Sequence, residues 1–338
     1  MSTVRVLDHS LSPSVLTAFS LPSYPPPLPL PGGQGTSYIT SSRAYVLKYN
    51  PPPISAELYA IPQLFASLSP SPCFRIPTYI PSSIGDYILD NWTCTSFVEG
   101  ETLPAGGPVE STTWEEIFKA SRAFHYALKA AVNERPSWTE GRAHRWAVSD
   151  AIVWDEASMS DIEQRLPPSA MGFLSRLERL EQVLSSCEKN QAAESVSVPD
   201  EEIAYLVTPQ LLHGDFANNI LFASPASSLP PAIIDFSPYY RPLAYAEAII
   251  ASDGLVEFDA DPTLVHLWLR VRGSSTGSGD EWMETQMLRM LVGRAMRFRI
   301  LSDWLGEEEG RTIGNKEVAM WERALRIIEN LVEEFLEK

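Results

Sequence analysis

Three side chains in this sequence have the types and spacing to hold a hard metal ion: Asp215, Asn219 and Asp235. They lie in HGDFANNILFASPASSLPPAIIDFSPYYRP, residues 213–242. Ile220-Leu221-Phe222 and Ala232-Ile233-Ile234 are short apolar runs, each continuous enough for a buried strand. The intervening SPASSLPP is made of turn formers, so the segment reads as a β-hairpin. Asp215 and Asn219 precede its first strand and Asp235 follows its second. Pairing the strands brings the three groups to one end. Two carboxylates and an amide oxygen suit Mg²⁺, which prefers oxygen and keeps some of its water.

His-Gly-Asp, a short loop, Asn-Ile-Leu and a strand ending in Asp-Phe-Ser resemble the catalytic segment of the aminoglycoside phosphotransferase and choline kinase families. Those families are relatives of protein kinases, whose H-R-D…N and D-F-G motifs do the same work. The resemblance implies a catalytic Asp215 facing an acceptor hydroxyl, with Asn219 and Asp235 holding Mg²⁺ on nucleotide phosphates. The usual spacing puts four residues between the catalytic Asp and the Asn. Here there are three, Phe216, Ala217 and Asn218, so Asn218 is a rival ligand; Asn219 is preferred because it directly precedes the Ile-Leu strand. Ser237 stands where D-F-G has Gly. The run DFSPYYRPLAYAEAI resembles a bacterial subgroup of this superfamily with the same shortened loop.

Ahead of this segment come the groups a nucleotide would need. Gly32, Gly33 and Gly35 precede Thr36 and Ser37, and residues 44–48 alternate toward a strand ending at Lys48. Glycine lets backbone N–H groups approach phosphates closely. A strand Lys can pair the α and β phosphates. A plain hairpin turn and a surface Lys explain either feature alone, so it is their order ahead of His213 that carries the reading. Residues 54–68 read as a helix interrupted or bent at Pro62, and Glu57 is its only acid. The resemblance gives Glu57 the role of pairing with Lys48. It also places adenine against backbone groups near Phe97 and Val98, at the end of the alternating run WTCTSFV.

Elsewhere the chain supplies scaffold. Residues 74–81 and 87–90 read as strands around a turn at 82–86. Thr112 or Thr113 opens a helix with Trp114, Ile117, Ser121, Phe124 and Leu128 on one face, and His125 beside it as a packed core histidine. Trp138, Trp146 and Trp154, with Arg142, His144 and Arg145, read as core anchors or an acceptor-pocket lining. Residues 172–183 and 245–255 read as helices, 185–202 as a polar loop, and 272–280 as a flexible loop. The resemblance puts Glu247 where an Asp often stabilises the catalytic loop. Two stripes, Met287 to Leu305 and Val318 to Phe335, close the chain as packed helices.

Composition sets the outer limits. The 338 residues carry a net charge of −17. That argues against nonspecific binding to nucleic acid and against docking on anionic membranes, both of which rely on Lys and Arg. Cys73, Cys94 and Cys187 lie far apart without CxxC spacing, which argues against a disulfide framework or zinc site. No apolar run approaches the ~20 residues of a membrane span, and MSTVRVLDHS has no signal-peptide pattern. A cytoplasmic protein is the expectation.

With these readings, the resemblance implies an α+β, bilobal, protein-kinase-like fold. Residues 1–24 form a proline-rich irregular lead-in; LPSYPPPLPLP reads as a stiff segment packed on the first lobe, with an SH3-type ligand, and so an interaction protein, as the other reading. Residues 25–100 form a small β-rich N-lobe, and 101–338 a larger, mainly helical C-lobe. The expected activity is ATP- and Mg²⁺-dependent phosphoryl transfer to a small-molecule hydroxyl, with oligomeric state left open. The alternative is a pseudokinase-like nucleotide-binding or scaffolding protein, favoured only by the short loop and the Ser in D-F-S.

Overall fold

The computed structural model describes residues 11–30, 36–104, 109–191, 200–224, 227–273 and 280–337. The chain divides into two compact units. One holds the residues up to Glu101 with Pro136–Trp138 and Leu221–Ile234; the other holds Thr102–Arg135, Thr139–Ile220 and Asp235–Lys338. The first is β-rich and the second mainly helical, an α+β architecture.

The first unit is built on a five-stranded antiparallel sheet, in order β1-β2-β3-β5-β4. The strands are β1 (Leu28–Pro29), β2 (Ser37–Ile39), β3 (Tyr45–Tyr49), β4 (Ile88–Leu89) and β5 (Trp92–Ser96). Strand side chains alternate between faces. Tyr45, Leu47 and Tyr49 therefore share one face of β3, packed with Trp92, Cys94, Val15, Leu16 and Phe19. Lys48 falls on the opposite face.

Residues 1–24 were expected to be irregular, and the structure differs. Pro13–Ala18 form a short helix, α1, with Ser12 as its N-cap and Pro13 in its first turn. Six residues are too few to be stable alone. Val15 and Leu16, buried against the sheet, hold this turn in place. The proline-rich run is pinned as well: Leu28 and Pro29 pair with β2, and the Ser41 hydroxyl donates to the carbonyls of Pro25 and Pro26.

The strand expected over residues 74–81 does not form. The segment lies beside β5, with Ile80 N donating to Cys94 O and Ser96 N to Thr78 O, both at 2.8 Å. Pro77 and Pro81 lack the N–H groups a continuous ladder needs, so only isolated bridges remain, Arg75 with Ala232 and Tyr79 with Thr95. The helix over 54–68 does form, as α2 (Ala56–Ser67), with Pro62 inside it. The hairpin of β7 (Ile220–Leu221) and β8 (Ala232–Ile233) also forms.

The second unit contains α3 (Ser111–Ala131), α4 (Arg145–Val153), α5 (Pro168–Gln191), α6 (Asp200–Val207), the ladder β6 (Pro209–His213) with β9 (Pro238–Pro242), then α7 (Leu243–Val256) and α8 (Thr263–Gly273). A continuous helical run follows: α9 (Asp280–Arg289), a π-helical stretch (Met290–Met296) and α10 (Arg297–Leu305). α11 (Asn315–Leu336) closes it. Residues 185–191 and 200–202, read as loop from their polarity, are helical, because α5 and α6 run further than their apolar faces do. α3 begins at Ser111 with Glu110 as a cap lacking a side-chain bond, not at Thr112 or Thr113. No described helix is long and apolar enough to cross a membrane.

Every residue of α7 is buried, including Glu247, Ser252 and Asp253. A helix buried on all sides must give its polar groups internal partners. Glu247 accepts from Arg122 Nε of α3 at 2.7 Å, from Tyr205 of α6 and from Trp268 Nε1 of α8, the last two at 2.9 Å. Glu247 thereby ties three helices to α7. Removing one member of a buried ion pair costs about 3–5 kcal/mol. Glu247→Ala is therefore expected to lower the free energy of urea unfolding by that amount; a loss below about 1 kcal/mol would contradict the tie, that being the scale of an exposed pair.

Candidate active site

The register of the β6–β9 ladder pairs His213 with Pro238. The loop carrying Asp215 leaves β6 at the end where the segment carrying Asp235 enters β9. One backbone bond and a buried ring join the loops. Gly214 N donates to Ser237 O at 2.8 Å. The His213 imidazole is fully buried, and its Nδ1 accepts from Asp215 N at 3.2 Å and from Ser237 N at 3.4 Å. An Nδ1 that only accepts puts the ring proton on Nε2.

Behind His213 stands a second buried histidine. His125 Nε2 accepts from His213 N at 2.9 Å, which places its own proton on Nδ1, 3.1 Å from Ser121 Oγ. The packed-core reading of His125 holds. Phe124 contacts both rings and also Phe216 and Phe236, from the two loops. The glycine of H-G-D is fixed by close approach: a Cβ on Gly214 would lie 2.3 Å from the Tyr239 ring.

The Asp215 carboxylate is held at both oxygens. Oδ1 accepts from Asn218 Nδ2 at 3.2 Å and from Arg299 Nη2 at 2.9 Å; Oδ2 accepts from Asn219 Nδ2 at 3.0 Å. The side chain stays 34% exposed. Burial works to raise its pKa, but the Arg299 charge and these hydrogen bonds outweigh it and hold the group below the usual carboxylate range. Burial likewise works against the charge on Arg299, and Asp253 and Asp215 overcome it, pushing that guanidinium further up. Neither Arg299 nor Asp253 was singled out from the sequence. Both sit inside apolar stretches where charge marks a buried pair, the one available signal.

Asn219 lies in a 3-10 turn, Ala217–Asn219. Its Nδ2 donates to Asp215 O at 2.8 Å as well as to Oδ2, leaving its amide oxygen as the acceptor. Asn218 also hydrogen-bonds the Glu257 carboxyl, whose pKa burial raises against the pull of Arg299. Asp235 is exposed and has φ +46°. The left-handed region is uncommon for a residue with a side chain, though Asp tolerates it, and such residues gather at functional sites. No group of three or more His, Cys, Asp or Glu among the described residues is spaced to hold a metal ion.

In the other unit, Lys48 is on β3 and Glu57 in the first turn of α2. Thr36 O accepts from Tyr49 N, and Ser37 opens β2. Gly32, Gly33 and Gly35 lie outside the described residues, between the paired strands β1 and β2. Phe97 N donates to Ala44 O at 2.8 Å, while Val98 N–H and C=O make no backbone hydrogen bond among the described residues. Beside them is a cavity of about 580 Å³ lined by Arg43, Arg75, Phe97 and Glu99. Of the aromatic cluster, His144 is used as the cap of α4, accepting from Ala147 N. Trp146 lies under Arg145, and the Trp154 ring meets the guanidinium groups of both Arg241 and Arg294. Trp138, Trp146 and Trp154 are all half-buried. Glu247, which the resemblance linked to the catalytic loop, pairs with Arg122, Tyr205 and Trp268 as described above.

No family model matches this sequence, and no curated protein matches it. Solved structures do. A thermostable mutant of aminoglycoside phosphotransferase APH(4)-Ia, in ternary complex with AMP-PNP and hygromycin B, matches with a TM-score of 0.54 at 14% identity, over 94% of this chain and 96% of that one. APH(4)-Ia itself matches at 0.52 and 15% identity, over 95% and 96%. The chain has the aminoglycoside phosphotransferase fold, a protein-kinase-like fold. A choline kinase from Streptococcus pneumoniae also matches, at 12% identity over 90% and 93%, but its TM-score of 0.46 is too low to weigh. At these identities the likeness establishes the phosphotransferase fold and not a substrate.

His125 gives this site a pH-dependent cost. Burial, and then His213, push its pKa from 6.5 down to about 3. The folded state keeps the ring neutral while the unfolded chain takes up a proton below pH 6.5. Stability is therefore full above that pH and falls as pH drops through it, by about 1.4 kcal/mol per unit. Unfolding free energy measured at pH 7.0, 6.0 and 5.0 is expected to fall more steeply in the wild type than in His125→Gln, by about 1 kcal/mol over the lower step; His144, whose pKa burial depresses to about 4, leaves a residual slope in both. An unchanged slope would contradict the buried neutral ring.

Proposed function

We propose that this chain is an ATP- and Mg²⁺-dependent phosphotransferase acting on the hydroxyl of a small molecule. The observation that carries the reading is the junction at His213. One buried imidazole fixes the loops bearing Asp215 and Asp235 at the same end of the β6–β9 ladder. The fold supports it, since neighbours of this fold were solved with AMP-PNP and hygromycin B bound.

In this reading Asp215 orients the acceptor hydroxyl and receives its proton as the γ-phosphoryl group leaves the nucleotide. Its low pKa makes it a weak base, so its main contribution is to hold the hydroxyl in line. Asn219 offers its amide oxygen and Asp235 its exposed carboxylate to Mg²⁺, an oxygen pair suited to a hard cation that keeps several waters. Asn219 is preferred over Asn218, whose side chain is drawn to Glu257 as well as to Asp215. When bound, the ion would neutralise charge on the transferring phosphates. Lys48 would pair with the phosphates, oriented by Glu57. Gly33, Gly35, Thr36 and Ser37 would approach them through backbone and hydroxyl groups, and Val98, next to the occupied Phe97 N–H, would meet adenine.

Asp215→Asn is expected to lower turnover of Mg·ATP by ~10²–10⁴-fold, the range for loss of a general base. The dissociation constant for ATP should stay unchanged. Steady-state turnover, with water or a panel of hydroxyl compounds as acceptor, together with calorimetric ATP binding, checks both. Wild-type turnover in the variant would sink the assignment of Asp215.

A further inference from the structure

We propose that Arg299 is a positioning residue for the transfer reaction: anchored by Asp253, it clamps the Asp215 carboxylate in its working orientation. This rests on the phosphotransferase reading and adds two residues to it. The Arg299 side chain is only 9% exposed and Asp253 is fully buried. Nε and Nη2 of Arg299 grip the two oxygens of Asp253 at 2.5 and 2.6 Å, a forked arrangement that fixes the guanidinium plane. The same Nη2 reaches Asp215 Oδ1 at 2.9 Å. The two amides alone would leave Asp215 room to turn, because both come from its own loop. Arg299 adds a hold from a different helix.

The helix is shaped for this contact. Arg299 lies three residues past the π-helical stretch Met290–Met296, which packs on α7 through Met296 Sδ and Ser252 Oγ at 3.0 Å. An inserted residue in a helix turns everything downstream by about 100°. An unbroken α-helix with the same start would carry position 299 off the face that meets Asp253. A buried arginine is an expensive way to stabilise two helices, since apolar residues of like volume do so at least as well. A charge kept at that cost, and touching the candidate catalytic carboxylate, points to a task at that carboxylate.

The test uses the full chain with Mg·ATP turnover and thermal unfolding. Arg299→Met with Asp253→Leu removes the buried guanidinium along with its fully buried partner, which leaves Asp215 and Glu257 with the Asn218 amide as a remaining hydrogen-bond partner; thermal unfolding checks that the variant folds. Turnover is expected to fall by ~10²-fold, the effect of a small misplacement of a reacting group, with KM for ATP unchanged. Arg299→Lys keeps the charge without the fork and should recover about tenfold of the loss, part of what the planar geometry supplies. In an Asp215→Asn background the double substitution should cost nothing further, since groups acting through one another are non-additive. Full turnover in the double variant, a loss expressed in KM, or an undiminished further loss without Asp215 would overturn the proposal. Wild-type protein without turnover would overturn the phosphotransferase reading and the transfer role with it. The clamp itself is then decided by the midpoint shift caused by Asp215→Asn in the two backgrounds: different shifts support the contact, and equal shifts overturn it.

Discussion

The buried imidazole of His213 is the constraint on which the rest of the candidate site depends. Two backbone N–H groups, those of Asp215 and Ser237, converge on its Nδ1. Without that acceptor, two part-buried donors would lose their partner, and only the Gly214–Ser237 backbone bond would still join the loops there. The surroundings serve this bond. His125 accepts from the His213 N–H and fixes the start of the loop. Phe124, Phe216 and Phe236 surround the rings, and Gly214 gives Tyr239 the space to lie against the turn.

α7 does for the helical unit what His213 does for the loops. Its sequence, LAYAEAIIASDGLV, has no solvent face. Its two carboxylates and its serine are joined to other elements: Glu247 to α3, α6 and α8, Ser252 to the π-helical stretch, Asp253 to α10, while the buried Tyr245 hydroxyl has no hydrogen-bond partner among the described residues. The last of these connections continues to Asp215. Packing of the core and orientation of the candidate catalytic group therefore share side chains.

Much of this was legible in the sequence, and the reasons for success and failure are physical. The hairpin, the strand ending near Lys48, the helix with Glu57 and the helices with regular apolar stripes were readable because periodicity reports burial directly. α1 was missed because its stability comes from the sheet beneath it. The strand over residues 74–81 was overcalled because apolar content hid the two prolines' missing donors. The π-helical stretch left no trace in a stripe that still stepped by three and four residues. Asp215, Asn219 and Asp235 could be singled out because their types and order are local. Arg299 and Asp253 could not, because a clamp between two helices and a distant loop exists only in three dimensions.

If Asp235 and Asn219 form an oxygen site that joins a nucleotide to the protein through Mg²⁺, the ion must strengthen nucleotide binding only while the Asp235 carboxylate is present. Calorimetric titration of ATP into the wild-type protein and into Asp235→Asn, each with and without Mg²⁺, measures this. Mg²⁺ is expected to tighten ATP binding by at least about tenfold, or 1.4 kcal/mol, in the wild type, and the gain to disappear in the variant. Equal ATP affinity with and without Mg²⁺ in the wild type, or a gain that survives the loss of the carboxylate, would contradict it.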